Sequence, residues 1–132
     1  MENTKEGWAD MEVIHSYTRR EALADGVLVD LSALAREAGF CWPLAVTRAV
    51  WGLLEPSEEL KKEGQSWTGR AWDMLFILRV SLRQSRDGRE VRFAPLFIRR
   101  PGSAPEAVAL RAVSGPGDEG EATITILLPD ED

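Results

Sequence analysis

The residue types that carry nucleophilic and soft-metal chemistry occur once each: His15 is the only imidazole and Cys41 the only thiol. A thiol activated by a neighbouring imidazole is a nucleophile, so a Cys41–His15 dyad would make the chain a small enzyme. The local contexts argue the other way. Cys41 sits between Phe40 and Trp42 and reads as a small buried apolar residue. His15 follows the apolar pair Val13-Ile14 and reads as a hydrogen-bonded structural group beside a short strand. No CxxC or HExxH spacing exists, so no metal site is expected.

Carboxylates offer hard-cation or acid–base chemistry. Asp118-Glu119-Gly120-Glu121, however, lacks the spacing of a calcium loop. Acids that work as a proton-transfer pair must share a cleft, whereas these gather in loops and at the termini, where solvation accounts for them. Gly115-Pro116-Gly117 runs straight into acids that repel phosphate. The helix start at Thr68-Gly69-Arg70 favours an anion, but capping accounts for it. The chain therefore reads as having no catalytic residue and no cofactor. An enzyme of unknown reaction, using Cys41 or loop carboxylates, stands third among three functional readings.

Charge layout supports the other two. The formal net charge is -6, yet residues 70–111 hold nine Arg against four acids, while residues 112–132 hold six acids and no base. A basic middle is thus flanked by acidic ends. Part of this reads as self-complementation, an acidic terminal strand lying beside a basic one. The leading functional reading is a noncatalytic protein-interaction module. In it Asp118, Glu119, Glu121, Asp130, Glu131 and Asp132 dock on a basic partner, with fast, salt-sensitive association. The alternative is a nucleic-acid-binding accessory protein using Arg86, Arg89, Arg92, Arg99 and Arg100 on a strand pair. Phe93 and Phe97 are interleaved there, and exposed aromatics stack bases. Against it stand the negative total charge and the lack of any recognition-helix pattern. Of the five tryptophans, Trp42, Trp51 and Trp72 fall at apolar helix positions and are expected in the core. Trp8 and Trp67 fall in polar contexts, where Trp67 is a candidate interface anchor or a cover for the core's edge.

The elements that position these groups can be read from their boundary signals. At 132 residues the chain fits one domain, with residues 1–11 as a flexible N-terminus and 12–132 as a single unit. Thr18-Arg19-Arg20-Glu21 has capping-box spacing and predicts a short helix through Ala24, stopped at Asp25-Gly26. Val27-Leu28-Val29 reads as strand. Asp30 or Ser32 caps a helix from Leu31 to Ala38, closed by Gly39. Pro43 suits the first turn of a third helix, with Val46, Val50, Leu53 and Leu54 as its apolar stripe, ended by Glu55-Pro56. Ser57 to Glu63 reads as a solvated helical turn or loop.

A fourth helix, about Arg70 to Gln84, is apolar around most of its girth and is expected to be covered on more than one side. Beyond Ser85 the texture becomes extended, with a turn at Arg86-Asp87-Gly88-Arg89. Strands are predicted over Val91–Ile98, Ala107–Val113 and Ala122–Leu128. Pro95 breaks the phase of the first and predicts a bulge or an edge. The expected architecture is α+β: N-terminal short helices and one central apolar helix packed on a small antiparallel C-terminal β-sheet.

The blocks VIHSYTR, EALADGVLVD, AREAGF and WPLAVTRAVW, with SWTGRAWDML, AVSGPGDEGE and ITILLPDED further on, together resemble an uncharacterised bacterial family of small proteins. That family is encoded mainly on plasmids, phages and integrative elements. The resemblance covers most of the chain from about residue 12 and transfers no catalytic residue. It implies an accessory protein of a mobile genetic element, for which an anti-defence (anti-restriction or anti-CRISPR) role against a host effector is the expectation. No apolar run approaches the roughly 18 residues of a membrane span, and the first residues lack a signal-peptide pattern. A cytoplasmic location is expected, in keeping with the lone thiol.

Overall fold

The structure is a computed structural model that describes residues 17–85 and 88–132. Trp8, the Val13-Ile14 strand, His15, Arg86 and Asp87 lie outside the described residues.

Each short helix is set by its caps. In α1 (Arg19–Ala24) the Thr18 hydroxyl accepts the Glu21 N–H at 3.0 Å, and the Glu21 carboxylate accepts the Thr18 N–H at 3.0 Å. This is the reciprocal box its spacing predicts. The helix ends in a Schellman turn, with Gly26 N–H on Leu23 O and Val27 N–H on Ala22 O. Strand β1 (Leu28–Asp30) follows, then α2 (Ser32–Glu37). Leu31 is the N-cap of α2, and it is the Asp30 carboxylate that accepts the Ser32 N–H, at 3.1 Å.

The region after Pro43 differs from its sequence reading. Leu44–Thr47 forms strand β2, buried along its whole length, and α3 (Arg48–Leu54) begins only after the Thr47 cap. The reason is position in the sheet. β2 pairs antiparallel with β1 on one side and parallel with β7 (Ala122–Leu127) on the other. A strand covered on both faces reads as a continuous apolar run, which periodicity cannot separate from a buried helix turn. The segment after Pro56 is a helix, α4 (Glu58–Lys62), capped by Ser57.

The five-stranded sheet has the order β1-β2-β7-β6-β3, with β6 spanning Leu110–Pro116 and β3 Glu90–Phe93. The fold is α+β, as expected, but the sheet is mixed and draws two strands from the N-terminal half. A separate two-stranded ribbon pairs β4 (Leu96–Phe97) with β5 (Glu106–Ala107). The phase break at Pro95 is the point where the chain leaves one sheet for the other; Pro95 is buried and its carbonyl accepts the Val108 N–H. Ala107, read as the start of a long strand, belongs to the ribbon instead.

Helix α5 (Trp67–Gln84) begins at the Ser66 cap, three residues before the expected start. Ala71, Met74, Leu75 and Leu78 are fully buried against α3, β3 and the even positions of β2 and β7. Burying each large side chain contributes roughly 1.5–3 kcal/mol before entropy is subtracted. Among the described residues only this one side is covered. The opposite face leaves Phe76 63%, Trp72 38% and Val80 37% exposed, so Trp72 is not core. Trp42, at 47%, is not core either. The odd positions of β2 and β7 face the other way, where α1 lies: Arg19 donates to Thr125 Oγ1 at 2.8 Å and to Ile124 O at 3.0 Å.

Candidate binding groove

Phe40, Cys41 and Trp42 are carried past the C-terminal half of α5 by the turn that ends α2. That turn is a second Schellman motif: Gly39 N–H meets Arg36 O, and Phe40 N–H meets Ala35 O at 2.9 Å. Gly39 has φ +100, which only glycine adopts without strain. Its missing Cβ also makes room for Arg79, whose Nη1 donates to Ala38 O at 2.8 Å and would stand 2.8 Å from a Cβ. This bond fixes the turn against α5.

Between the turn, α5 and the ends of β3 and β6 lies a groove of about 450 Å³. Its floor is the edge of the core, with Leu78, Val91, Ala112 and Ile124. Leu82 and the exposed Trp42 line it nearer solvent. Arg79, Arg83 and Arg89 are the charged residues of its described lining, and no acid faces it there. Arg89 is brought in by the turn before β3, which is tied down by Ser114: its N–H donates to Arg89 O and its hydroxyl to Gly88 O, both at 2.8 Å. The Arg83 side chain is exposed and has no hydrogen bond or ion pair with any described residue. Cys41 sits at the rim, exposed rather than buried as its neighbours suggested.

Three of the six acids proposed for docking are engaged within the molecule. Asp118 takes the Arg19 and Arg20 N–H groups at the start of α1, and these bonds hold its carboxyl below the ordinary aspartate range. Glu121 folds back onto the Glu119 N–H at 3.0 Å. Glu131 accepts from Thr47 Oγ1 at 2.7 Å and Leu128 N–H at 2.8 Å. Glu119, Asp130 and Asp132 are exposed. Trp67 is half-buried, its ring 5.2 Å from that of Trp51, which makes it a cover for the core's edge.

The arginine-rich strands are partly neutralised, though not by an acidic neighbour strand, since β7 carries no charge. Arg92 and Arg111 stand opposite each other on β3 and β6, and Glu90 lies 3.5 Å from both. Arg111 also donates to the backbone carbonyl of Glu131. Arg100 pairs with Glu106 at 3.1 Å, and Arg99 is exposed. Phe93 and Phe97 are 6% and 3% exposed, so the expected base-stacking faces are inside the core. Sequence reasoning missed the open face of α5 and the groove. The first was legible in the i, i+4, i+8 spacing of Trp72, Phe76 and Val80; the second needed the α2 turn to be placed against α5.

A family model of unknown function, DUF6573, matches residues 3–132. The chain belongs to that family. No curated protein and no solved structure matches the chain. Among the described residues no three His, Cys, Asp or Glu side chains gather as a metal site, and no helix is long and apolar enough to cross a membrane.

Proposed function

We propose that the protein is a noncatalytic protein-interaction module that engages its partner through the outer face of α5. The observation that carries this reading is the row Trp72, Phe76 and Val80, open to solvent on one side of the longest helix. Aromatic side chains held on a rigid helix are the usual anchors of protein interfaces. The net charge of -6, with Glu119, Asp130 and Asp132 unengaged at the surface, supports steering toward a basic partner. The resemblance to proteins of plasmids, phages and integrative elements supports an anti-defence role in the cytoplasm, with a host restriction or CRISPR effector as the partner class to test first. Nucleic-acid binding has weaker support, because the arginines that flank Phe93 and Phe97 have no open ring beside them.

The test is affinity capture from host lysate with the wild-type chain and with Trp72→Ser/Phe76→Ser. The side chains are exposed, so the variant is expected to fold, as circular dichroism would check. A partner retained by wild type and lost by the variant supports the reading. Identical captures by both remove the α5 face from it.

A further inference from the structure

The groove beside Trp42 borders the outer face of α5 at Arg79 and Arg83, but its chemistry points to a different kind of ligand. At about 450 Å³ it falls within the range of small-molecule sites, which are mostly apolar with a few placed polar groups. Its floor is core: Leu78, Val91, Ala112 and Ile124 give an apolar body somewhere to lie. The charge of its described lining is of one sign. The chain holds 22 acids and 16 bases, yet the described lining of this groove has three arginines and no acid.

Arg79 and Arg83 are one helical turn apart and therefore on the same side of α5, and Arg89 comes from the turn before β3. Arg79 is held in place by its bond to Ala38 O. Arg83 has donors engaged by no described residue. A guanidinium is a fork matched to a carboxylate. A groove that is apolar inside and cationic outside is complementary to an anion with an apolar tail. We propose that this groove is a binding site for a small amphiphilic carboxylate, its chain on the Leu78–Ile124 floor and its head group on Arg83.

The chain's single thiol provides a local readout. Cys41 lines the groove, so an occupant shields it from alkylation by iodoacetamide. The probe is dodecanoate, kept below micelle formation, with dodecanol as the uncharged control and circular dichroism as the check on fold. The expected result is saturable protection of Cys41 by dodecanoate at concentrations where dodecanol protects at least about tenfold less. Arg83→Glu is expected to weaken dodecanoate about tenfold while leaving dodecanol unchanged. Trp72→Ser, roughly 16 Å along the helix from Arg83 and outside the groove's described lining, is expected to leave both unchanged, which separates this site from the protein-binding face. Equal protection by the two probes, no protection by either, or an Arg83→Glu variant that binds dodecanoate normally would each overturn the proposal. Protection by an acidic peptide with none by dodecanoate would also overturn it and assign the groove to a polypeptide.

Discussion

Asp118 caps a helix that begins 99 residues before it: its two carboxylate oxygens accept the Arg19 and Arg20 N–H groups at 2.7 and 2.9 Å. With Thr18 taking the Glu21 N–H through its hydroxyl and the Ala22 N–H through its carbonyl, every donor in the first turn of α1 is satisfied. The acidic loop after β6 is thereby a structural clasp between the two ends of the chain.

Asp118 sets an acid dependence. The N–H groups of Arg19, and then of Arg20, lower its folded-state pKa. A carboxyl whose folded value is depressed stabilises the fold above its unfolded value, about 3.9, and that contribution is lost as pH falls through the folded value. Asp118→Asn is therefore expected to lower the thermal midpoint at neutral pH, with the gap to wild type closing below about pH 4. A gap of constant size across that range would rule out the carboxylate as its source.

Arg70 is a buried cation whose partners are carbonyls. It is 6% exposed, donates to Leu53 O at 2.7 Å and Ile98 O at 2.6 Å, and lies 5.5 Å from the centre of the Phe97 ring. Burial, and then the charge of Arg99, lower its pKa. It ties α3, α5 and the ribbon together. Arg70→Ala is expected to cost about 3 kcal/mol, from two charge-assisted bonds and the lost stem packing. Arg70→Lys, which keeps the charge but cannot span both carbonyls as a fork does, is expected to cost roughly half that. Urea unfolding measures both, and a neutral Arg70→Ala would refute this role for Arg70.

Gly39 answers two constraints at once. Gly39→Ala is expected to destabilise by about 1–2 kcal/mol from the positive φ alone, with the contact against Arg79 added. In an Arg79→Ala background the contact vanishes and the φ cost remains, so the double variant separates the two. Full rescue in the double variant would mean that φ contributes nothing.

The terminal acids should split by role. Glu131→Ala removes the acceptor for Thr47 Oγ1 and the Leu128 N–H, with an expected loss of about 1–2 kcal/mol. Asp130→Ala and Asp132→Ala, at exposed positions, are expected to stay within about 0.5 kcal/mol of wild type. Equal effects for all three in thermal melts would contradict this division.

Local signals carried far into the structure. The Thr18–Glu21 box, the stops at Gly26 and Gly39, and the Ser57 turn all act within a few residues, so their geometry is written in adjacent side chains. The extended texture after Ser85 and the interruption at Pro95 were legible for the same reason. The candidate site was less so. In the sequence Cys41 reads as a small buried apolar residue between Phe40 and Trp42, and Arg79 and Arg83 are charged positions on an otherwise apolar helix.

Sequence alone determined which segments are helical or extended at their capped ends, the α+β class, and the absence of any recognisable catalytic motif. Tertiary structure decided that Leu44–Thr47 is a strand, since an apolar run takes its conformation from the neighbours that satisfy its backbone, here β1 and β7. It decided too that α5 is covered on one side, because exposure depends on what packs against a face and not on the face's composition. The engagement of Asp118 and Glu131 and the arginine-rimmed groove were settled in the same way, by contacts between residues far apart in the chain.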